Sequence, residues 1–446
     1  MNRPLRAARA RKLRERVKLK PNAAVGDTMP LDHGKPKPPY IVRPLTAVLT
    51  RGFDPRLSVG SARPAVFRSS TFVFSSPEAA ERAFAIALGK VHAAADESVD
   101  LIYARLSHPN AEILEDQIVP LEPGSHSAAV FNSGMAAIST LFLTYCRPGS
   151  SLVYTVPLYG GTQHLIRELI EPLGVTGVPV RAGDSDALRS AIAEATHPSL
   201  IFIETPANPN LRMTDIAAAV TAASAHPDKP LVAVDNTVLG PTFQHPLLLG
   251  VDFSVYSATK FLSGFSDMLG GVILGRVPDA IAQLRGTRAI LGNILQADEC
   301  WLLDGRLPTV GLRMNRQSKN AERIAHQLAA HPSISTFYYP SLFDEPEQIR
   351  IRDAQCKFPG ALFSFELKGG KTAAFDFLRR LSIARNAVSL GSVETLACHP
   401  ATTTHAELSP AQLAASGITD SLVRVSIGIE DWRDLLRDLK QALDSL

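Results

Sequence analysis

The sequence predicts an α/β protein: a large, doubly wound, mostly parallel sheet domain followed by a smaller α+β C-terminal domain. Three observations carry this reading. Short apolar runs alternate with helical stretches between residues 127 and 275. The pattern then changes to a long helical run over residues 298–332, followed by a mixed strand and helix region. Finally, 446 residues are too many for one simple core, so two or three domains are expected.

The elements follow in order. "AEILEDQIVPLE" (111–122) has helical periodicity, "SAAVFNSG" (127–134) reads as a buried strand ending in a turn, and "MAAISTLFLTYC" (135–146) reads as a helix. The apolar runs "SLVYTVP", "VTGVPV", "SLIFIETP", "PLVAVDNT", "FSVYSATK" and "GGVILG" read as strands. Between them, "GGTQHLIRELIEPLG" and "TDIAAAVTAASAHP" read as helices. A sheet of this kind binds ligands at the carboxyl ends of its strands. A separate domain is expected to begin near residue 306, with strands in "GALFSFEL" and "LVRVSIGIE" and a closing helix "DWRDLLRDLKQAL".

Composition narrows the function classes. Hydrophobic residues make up 45% and charged residues 20% of the chain, as in soluble globular proteins. No apolar run is long enough to span a bilayer. The net charge is +3, but residues 1–20 hold nine basic residues against the single acid Glu15, so the body is mildly acidic. Nothing there calls for a nucleic-acid or membrane partner. The basic leader, residues 1–44, has three readings: a transit-like segment, a basic arm for an acidic partner, or a disordered tail. Cys146, Cys300, Cys356 and Cys398 are far apart and form no CxxC pair, which argues against a disulfide framework or a metal site and for a reducing, cytoplasmic setting.

The strand ends carry the chemistry. Ser133-Gly134-Met135 falls at a helix start, where free N–H groups and the dipole favour an anion and Gly134 permits close approach. "PLVAVDNT" ends a buried run in Asp235, a carboxylate that needs a cation or a cap. The next strand leads to Lys260 behind Ser257 and Thr259. A surface lysine has polar neighbours, yet "FSVYSATKFL" is mostly apolar or small, and a buried lysine has a depressed pKa and becomes a nucleophile. Together these parts fit pyridoxal 5'-phosphate, which needs a lysine for its Schiff base, a carboxylate at the ring nitrogen and a cup of amides and hydroxyls for its phosphate.

At these residues the chain resembles the Cys/Met-metabolism family of pyridoxal-phosphate enzymes, the cystathionine γ-synthase and methionine γ-lyase group. "YARLSHPN" (103–110), "SGMAAI" (133–138), "LYGGT" (158–162), "ETPANP" (204–209), "VDNT" (234–237), "YSATKFLSGFSD" (256–267), "SLGSVETLACHP" (389–400) and "RVSIGIED" (424–431) fall in the family's order. The resemblance implies fold type I, like aspartate aminotransferase. It divides the chain into the leader, an arm contacting a neighbouring subunit (45–105), a large cofactor-binding domain (106–305) and a C-terminal domain (306–446).

The resemblance also implies roles. Lys260 would bind the cofactor covalently and shuttle protons, Asp235 would pair with the ring nitrogen, and Tyr159 would stack on the ring and act as acid or base. Gly134, Met135, Ser257 and Thr259 would hold the phosphate. Tyr103 and Arg105 would reach the phosphate of the neighbouring subunit's cofactor, making the active unit a homo-oligomer, a tetramer built as a dimer of dimers. Arg424 would clamp the substrate α-carboxylate, helped by Asn208 and Ser389, and a planar guanidinium suits that task.

The implied reaction is elimination of a group from Cγ of an amino acid, of methionine, homocysteine, cystathionine or canavanine type. The alternative is γ-replacement, as in cystathionine γ-synthase or O-acylhomoserine sulfhydrylase, and the remote alternative is a non-catalytic cofactor-binding regulator. The chain departs from the family at His108, where Asn is usual, at Phe265, where His is usual, and at Gly305-Arg306, whose order is inverted. Gly161 stands where many methionine γ-lyases have cysteine.

Overall fold

The computed structural model describes residues 42–94 and 97–446, so the reading of the basic leader falls almost wholly outside the described residues. Seven strands form the large sheet: β1 Ser127–Phe131, β2 Ser151–Val156, β3 Thr176–Arg181, β4 Pro198–Glu204, β5 Leu231–Asp235, β6 Phe253–Ser257 and β7 Gly271–Gly275. Their order is β1-β7-β6-β5-β4-β2-β3. The pairs β2–β3, β2–β4, β4–β5 and β5–β6 are parallel. Only β7 runs against its neighbours β6 and β1. Its connection from β6 carries no crossover helix, so a parallel return is not available to it.

The central strands are apolar without alternation because helices cover both faces. One face packs Phe131, Phe202 and Phe253 against Leu141 and Phe142 of the helix Gly134–Tyr145 and Leu284 of the helix Pro278–Leu291. The other packs Val153, Ile201, Val234 and Tyr256 in a cluster that continues into the C-terminal sheet. Helix starts are set by side-chain caps: Ser133, Asp184 and Asp215 accept from the N–H groups of Ala136, Ala187 and Ala218.

The helical run expected over 298–332 is two helices, Ala297–Arg306 and Val310–Leu328, joined by a 3-10 turn at Leu307–Thr309. Pro308 has no N–H to donate, so the ladder cannot pass through it unbroken. The second sheet comprises β8 Ile334–Tyr338, β9 Leu362–Leu367, β10 Arg385–Asn386, β11 Leu396–Cys398 and β12 Leu422–Ser426, in the order β10-β11-β12-β9-β8. The closing helix Trp432–Asp444 buries Leu435, Leu439, Ala442 and Leu443, one stripe at helical spacing.

Three sequence departures have structural accounts. His108 caps the helix Pro109–Ile118: its Nδ1 accepts the Ala111 N–H at 3.2 Å and its Nε2 lies 2.9 Å from the Leu295 carbonyl. Burial holds its pKa below the ordinary value, which suits a neutral ring that accepts at Nδ1 and donates at Nε2. Phe265 lies beneath two guanidinium groups, 4.8 Å from Arg306 and 5.6 Å from Arg313. Arg306 also forms a two-pronged ion pair with Asp267. Gly305 leaves space for Arg63, which pairs with Asp304. Phe265 and Arg306 therefore belong to one cluster, beside the turn that carries Lys260.

Candidate active site

Three neighbouring parallel strands end side by side. Glu204 closes β4, Asp235 closes β5, and Ser257 closes β6 three residues before Lys260. The register sets Glu204 opposite Asp235. Spacing along the chain brings the elements here only because the connections return each strand to the same edge.

Lys260 sits in the turn after β6, and its Nζ donates to Ser389 Oγ at 3.0 Å. Burial first, then the charge of Arg424, hold this amine down to about 8, while Asp235 acts in the opposite direction. Asp235 is 8% exposed, and its Oδ1 accepts from both the backbone N–H and the hydroxyl of Thr237, at 3.0 and 2.6 Å. Burial pushes its pKa up, against those bonds and the charge of Lys260. A cation at this carboxylate would favour the ionised form.

Arg424, on β12, is 2% exposed. Its Nη1 donates to Asn208 Oδ1 at 2.9 Å, and its Nη2 donates to the carbonyls of Val388 and Ser389 at 2.8 and 3.0 Å. The second sheet thus delivers a fixed guanidinium beside Lys260.

An inner cavity of about 170 Å³ is lined by Gly134, Met135, Tyr159, Asn208, Asp235, Ser257, Thr259 and Lys260. It adjoins a cleft of about 1360 Å³ walled by Tyr159, Thr259, Lys260 and Ser389. The helix Gly134–Tyr145 points its N-terminus at this cavity, and the first N–H groups of a helix have no acceptor within it. A Cβ on Gly134 would lie 2.8 Å from Ser257 Cβ, so glycine is what lets this helix start against β6. The parts fit pyridoxal phosphate: an amine, a buried carboxylate across the cavity and an anion cradle beside two hydroxyls.

Ten of the residues singled out in the sequence therefore come together: the eight cavity residues, Ser389 and Arg424. Tyr103 and Arg105 do not. Tyr103 is 42% exposed and bridges to Thr71, and Arg105 Nη1 donates to the Ala289 carbonyl at 2.7 Å.

Sequence reading assigned no role to Thr237 or Glu204. Thr237 links two site elements, since its Oγ1 donates to Asp235 and accepts the Ser257 N–H at 2.8 Å. A threonine two residues after a strand-end aspartate is a local turn signal that points to it. Glu204 is the second carboxylate to end an apolar run, "SLIFIE" beside "LVAVD".

The profile of the Cys/Met metabolism PLP-dependent enzyme family matches residues 45–444. An L-methionine gamma-lyase of Pseudomonas deceptionensis is 38% identical over 403 residues, covering 90% of this chain and 97% of that protein. A cystathionine gamma-lyase of Bacillus subtilis is 36% identical over 344 residues, covering 77% and 89%. The crystal structure of cystathionine gamma synthase from Xanthomonas oryzae pv. oryzae in complex with cystathionine superposes with a TM-score of 0.82 at 32% identity, covering 91% of this chain and 98% of that one. Family and fold agree with the strand-end chemistry, and the chain belongs to the Cys/Met metabolism family of pyridoxal-phosphate-dependent enzymes.

Proposed function

We propose that this protein is a γ-lyase that eliminates the γ substituent of an L-amino acid of methionine, homocysteine, cystathionine or canavanine type, giving 2-oxobutanoate and ammonia. The observation that carries this is the convergence of Lys260 and Asp235 on one cavity, with Arg424 near enough for its charge to act on the lysine, in a chain similar to methionine and cystathionine gamma-lyases.

Pyridoxal phosphate, when bound, supplies the electron sink that lets protons leave Cα and then Cβ. Asp235, fixed by Thr237, offers its carboxylate to the ring nitrogen. Gly134, Met135, Ser257 and Thr259 receive the phosphate. Arg424, its plane fixed by Asn208 and two carbonyls, receives the α-carboxylate and aims Cα at Lys260. The Lys260 amine, held down to about 8, takes the Cα proton. Tyr159 stands where the cavity opens to the cleft and protonates the departing group. The cleft leaves room for the substituent and, in the γ-replacement alternative, for an incoming nucleophile; the likeness to a cystathionine gamma synthase keeps that reading in the test.

The assembly is part of the proposal. Tyr103 and Arg105 do not line their own chain's cavity; on this reading the arm 45–105 completes a neighbour's site in a homotetramer, placed in the cytoplasm. The large domain is then 106–305 and the C-terminal domain 306–446. The test is incubation of the purified, cofactor-loaded protein with methionine, homocysteine, cystathionine, O-acetylhomoserine, O-succinylhomoserine and canavanine, scored for 2-oxobutanoate and homoserine. Release of 2-oxobutanoate without an added nucleophile is expected. Turnover only when a thiol is added would establish replacement instead, and no turnover of any member would overturn both.

A further inference from the structure

Glu204 has no place in the mechanism above, yet it lines the inner cavity at 4% exposure. Both of its oxygens are engaged. Oε2 accepts the Tyr159 N–H at 2.7 Å, and Oε1 accepts the Asn208 N–H at 3.1 Å. Its own N–H donates to Thr155 Oγ1 at 3.1 Å, which fixes the residue on its strand. Asn208 in turn accepts from Arg424. One carboxylate therefore joins the turn bearing Tyr159 to the loop bearing Asn208, and through Asn208 it reaches the guanidinium of the second sheet.

The choice of residue is informative. Burying a second carboxyl group in register with Asp235 is unfavourable as an anion: burial first, then the charge of Asp235, push Glu204 up to about 8, so at neutral pH it is mostly the neutral acid, whose two oxygens still accept. Of the side chains this long, glutamate alone offers acceptors at both ends. Glutamine has one acceptor and one NH₂ group, so one of the two backbone N–H groups would face another donor. The two-sided acceptor outweighs that cost only if both backbone positions need to be fixed.

We propose that Glu204 is a positioning residue that sets Tyr159 and the Asn208–Arg424 clamp relative to each other, so that its loss weakens ring contact and carboxylate recognition together. This rests on the roles given above to Tyr159 and Arg424. The test uses two equilibria that do not require elimination. One is the affinity of the full-length apoprotein for pyridoxal phosphate. The other is the affinity of the loaded protein for L-norleucine, which carries the amino and carboxyl groups but no γ leaving group; both are read by visible absorbance.

Glu204→Gln is expected to weaken each affinity about tenfold, the order of one buried hydrogen bond lost with its donor left unpaired. In a Tyr159→Ala background the loss of cofactor affinity should largely vanish, and in an Asn208→Ala background the loss of norleucine affinity should, since coupled residues are not additive. Glu204→Asp keeps the carboxyl group but shortens the reach, and it should show the same joint loss. A lower melting temperature with both affinities unchanged, or full additivity in both backgrounds, overturns the proposal. Were wild type to eliminate nothing from any γ-substituted amino acid, the γ-lyase reading would fail while these equilibria still judged Glu204.

Discussion

The acidity of Lys260 is a measurable consequence of the site. The ordinary lysine value is 10.5, and burial followed by the charge of Arg424 holds this amine down to about 8 in the apoprotein. That difference corresponds to roughly 3 kcal/mol against the charged form. At pH 7.5 an amine with this acidity is roughly one-quarter neutral, against roughly one part in a thousand for an exposed lysine. The site thus raises the nucleophilic fraction by about two orders of magnitude. Competitive labelling of the apoprotein with trace acetic anhydride, quantified at the peptide containing Lys260, reads this directly. Labelling should rise through a midpoint near 8. Arg424→Met removes the neighbouring cation and should move the midpoint up; Asp235→Asn removes the favourable anion and should move it down.

Stability follows with a definite sign. The folded value lies below the unfolded one, so the burial penalty is complete below pH 8, fades as pH rises, and is gone above 10.5. Apo Lys260→Met should therefore be more stable than apo wild type at pH 7, by up to about 3 kcal/mol, with the two converging above that range. A labelling midpoint above 10 in wild type would refute the argument.

Other outcomes test other parts. Asp235→Asn keeps the shape and loses the charge opposite the ring nitrogen, so turnover should fall by about a hundredfold or more while pyridoxal phosphate stays bound; near-normal kcat would rule the role out. Gly134→Ala places a Cβ 2.8 Å from that of Ser257, and this overpacking should weaken pyridoxal phosphate binding by about tenfold, measured by titration of the apoprotein. Lys260→Ala and Arg105→Ala should each be inactive, and verified heterodimers of the two should regain activity at one of their two sites. If such heterodimers stay inactive, the shared-site assembly is wrong.

How much of this was legible in the sequence depends on the physics of each feature. "LVAVD" and "FSVYS" were readable because doubly covered strands must be apolar throughout, so Asp235 and the approach to Lys260 stood out at their ends. Strand direction was not readable: "GVILG" has the same apolar run whether it lies parallel or antiparallel, and β7 is antiparallel. The break at Pro308 was present as a residue, but the periodicity on either side continued across it. Glu204 was hidden for a different reason. Its meaning lies in pairings with Tyr159 and Asn208 on two separate loops, and no spacing along one chain specifies which strands become neighbours. His108 shows the converse, since a departure from the family pattern is seen here to cap the helix that it precedes.

The two sheets divide the work of the site. The groups proposed for the cofactor, Asp235 and Tyr159 for its ring and Ser257 and Thr259 for its phosphate, come from the large sheet and its connections. The groups proposed for the α-carboxylate, Arg424 and Ser389, come from the second sheet and the segment leading into it, with Asn208 after β4 behind the guanidinium. Both sets serve features that every amino-acid substrate of this chemistry has in common, so neither can distinguish one leaving group from another. Among the other residues on the cleft wall is the segment with Thr403, Thr404 and Glu407. That segment does not merely lie nearby. A Cβ on Gly160 would collide with the Thr404 carbonyl, and His405 Nε2 lies 3.3 Å from the carbonyl of Leu158. Burial first, then Arg424, hold His405 down to about 4, so the ring is neutral and donates to that carbonyl without adding charge to the site. The turn 158–161 is therefore braced from behind by the 403–407 segment and from below by Glu204. A change in that segment is therefore expected to alter the cleft beside Tyr159 and the placement of Tyr159 together.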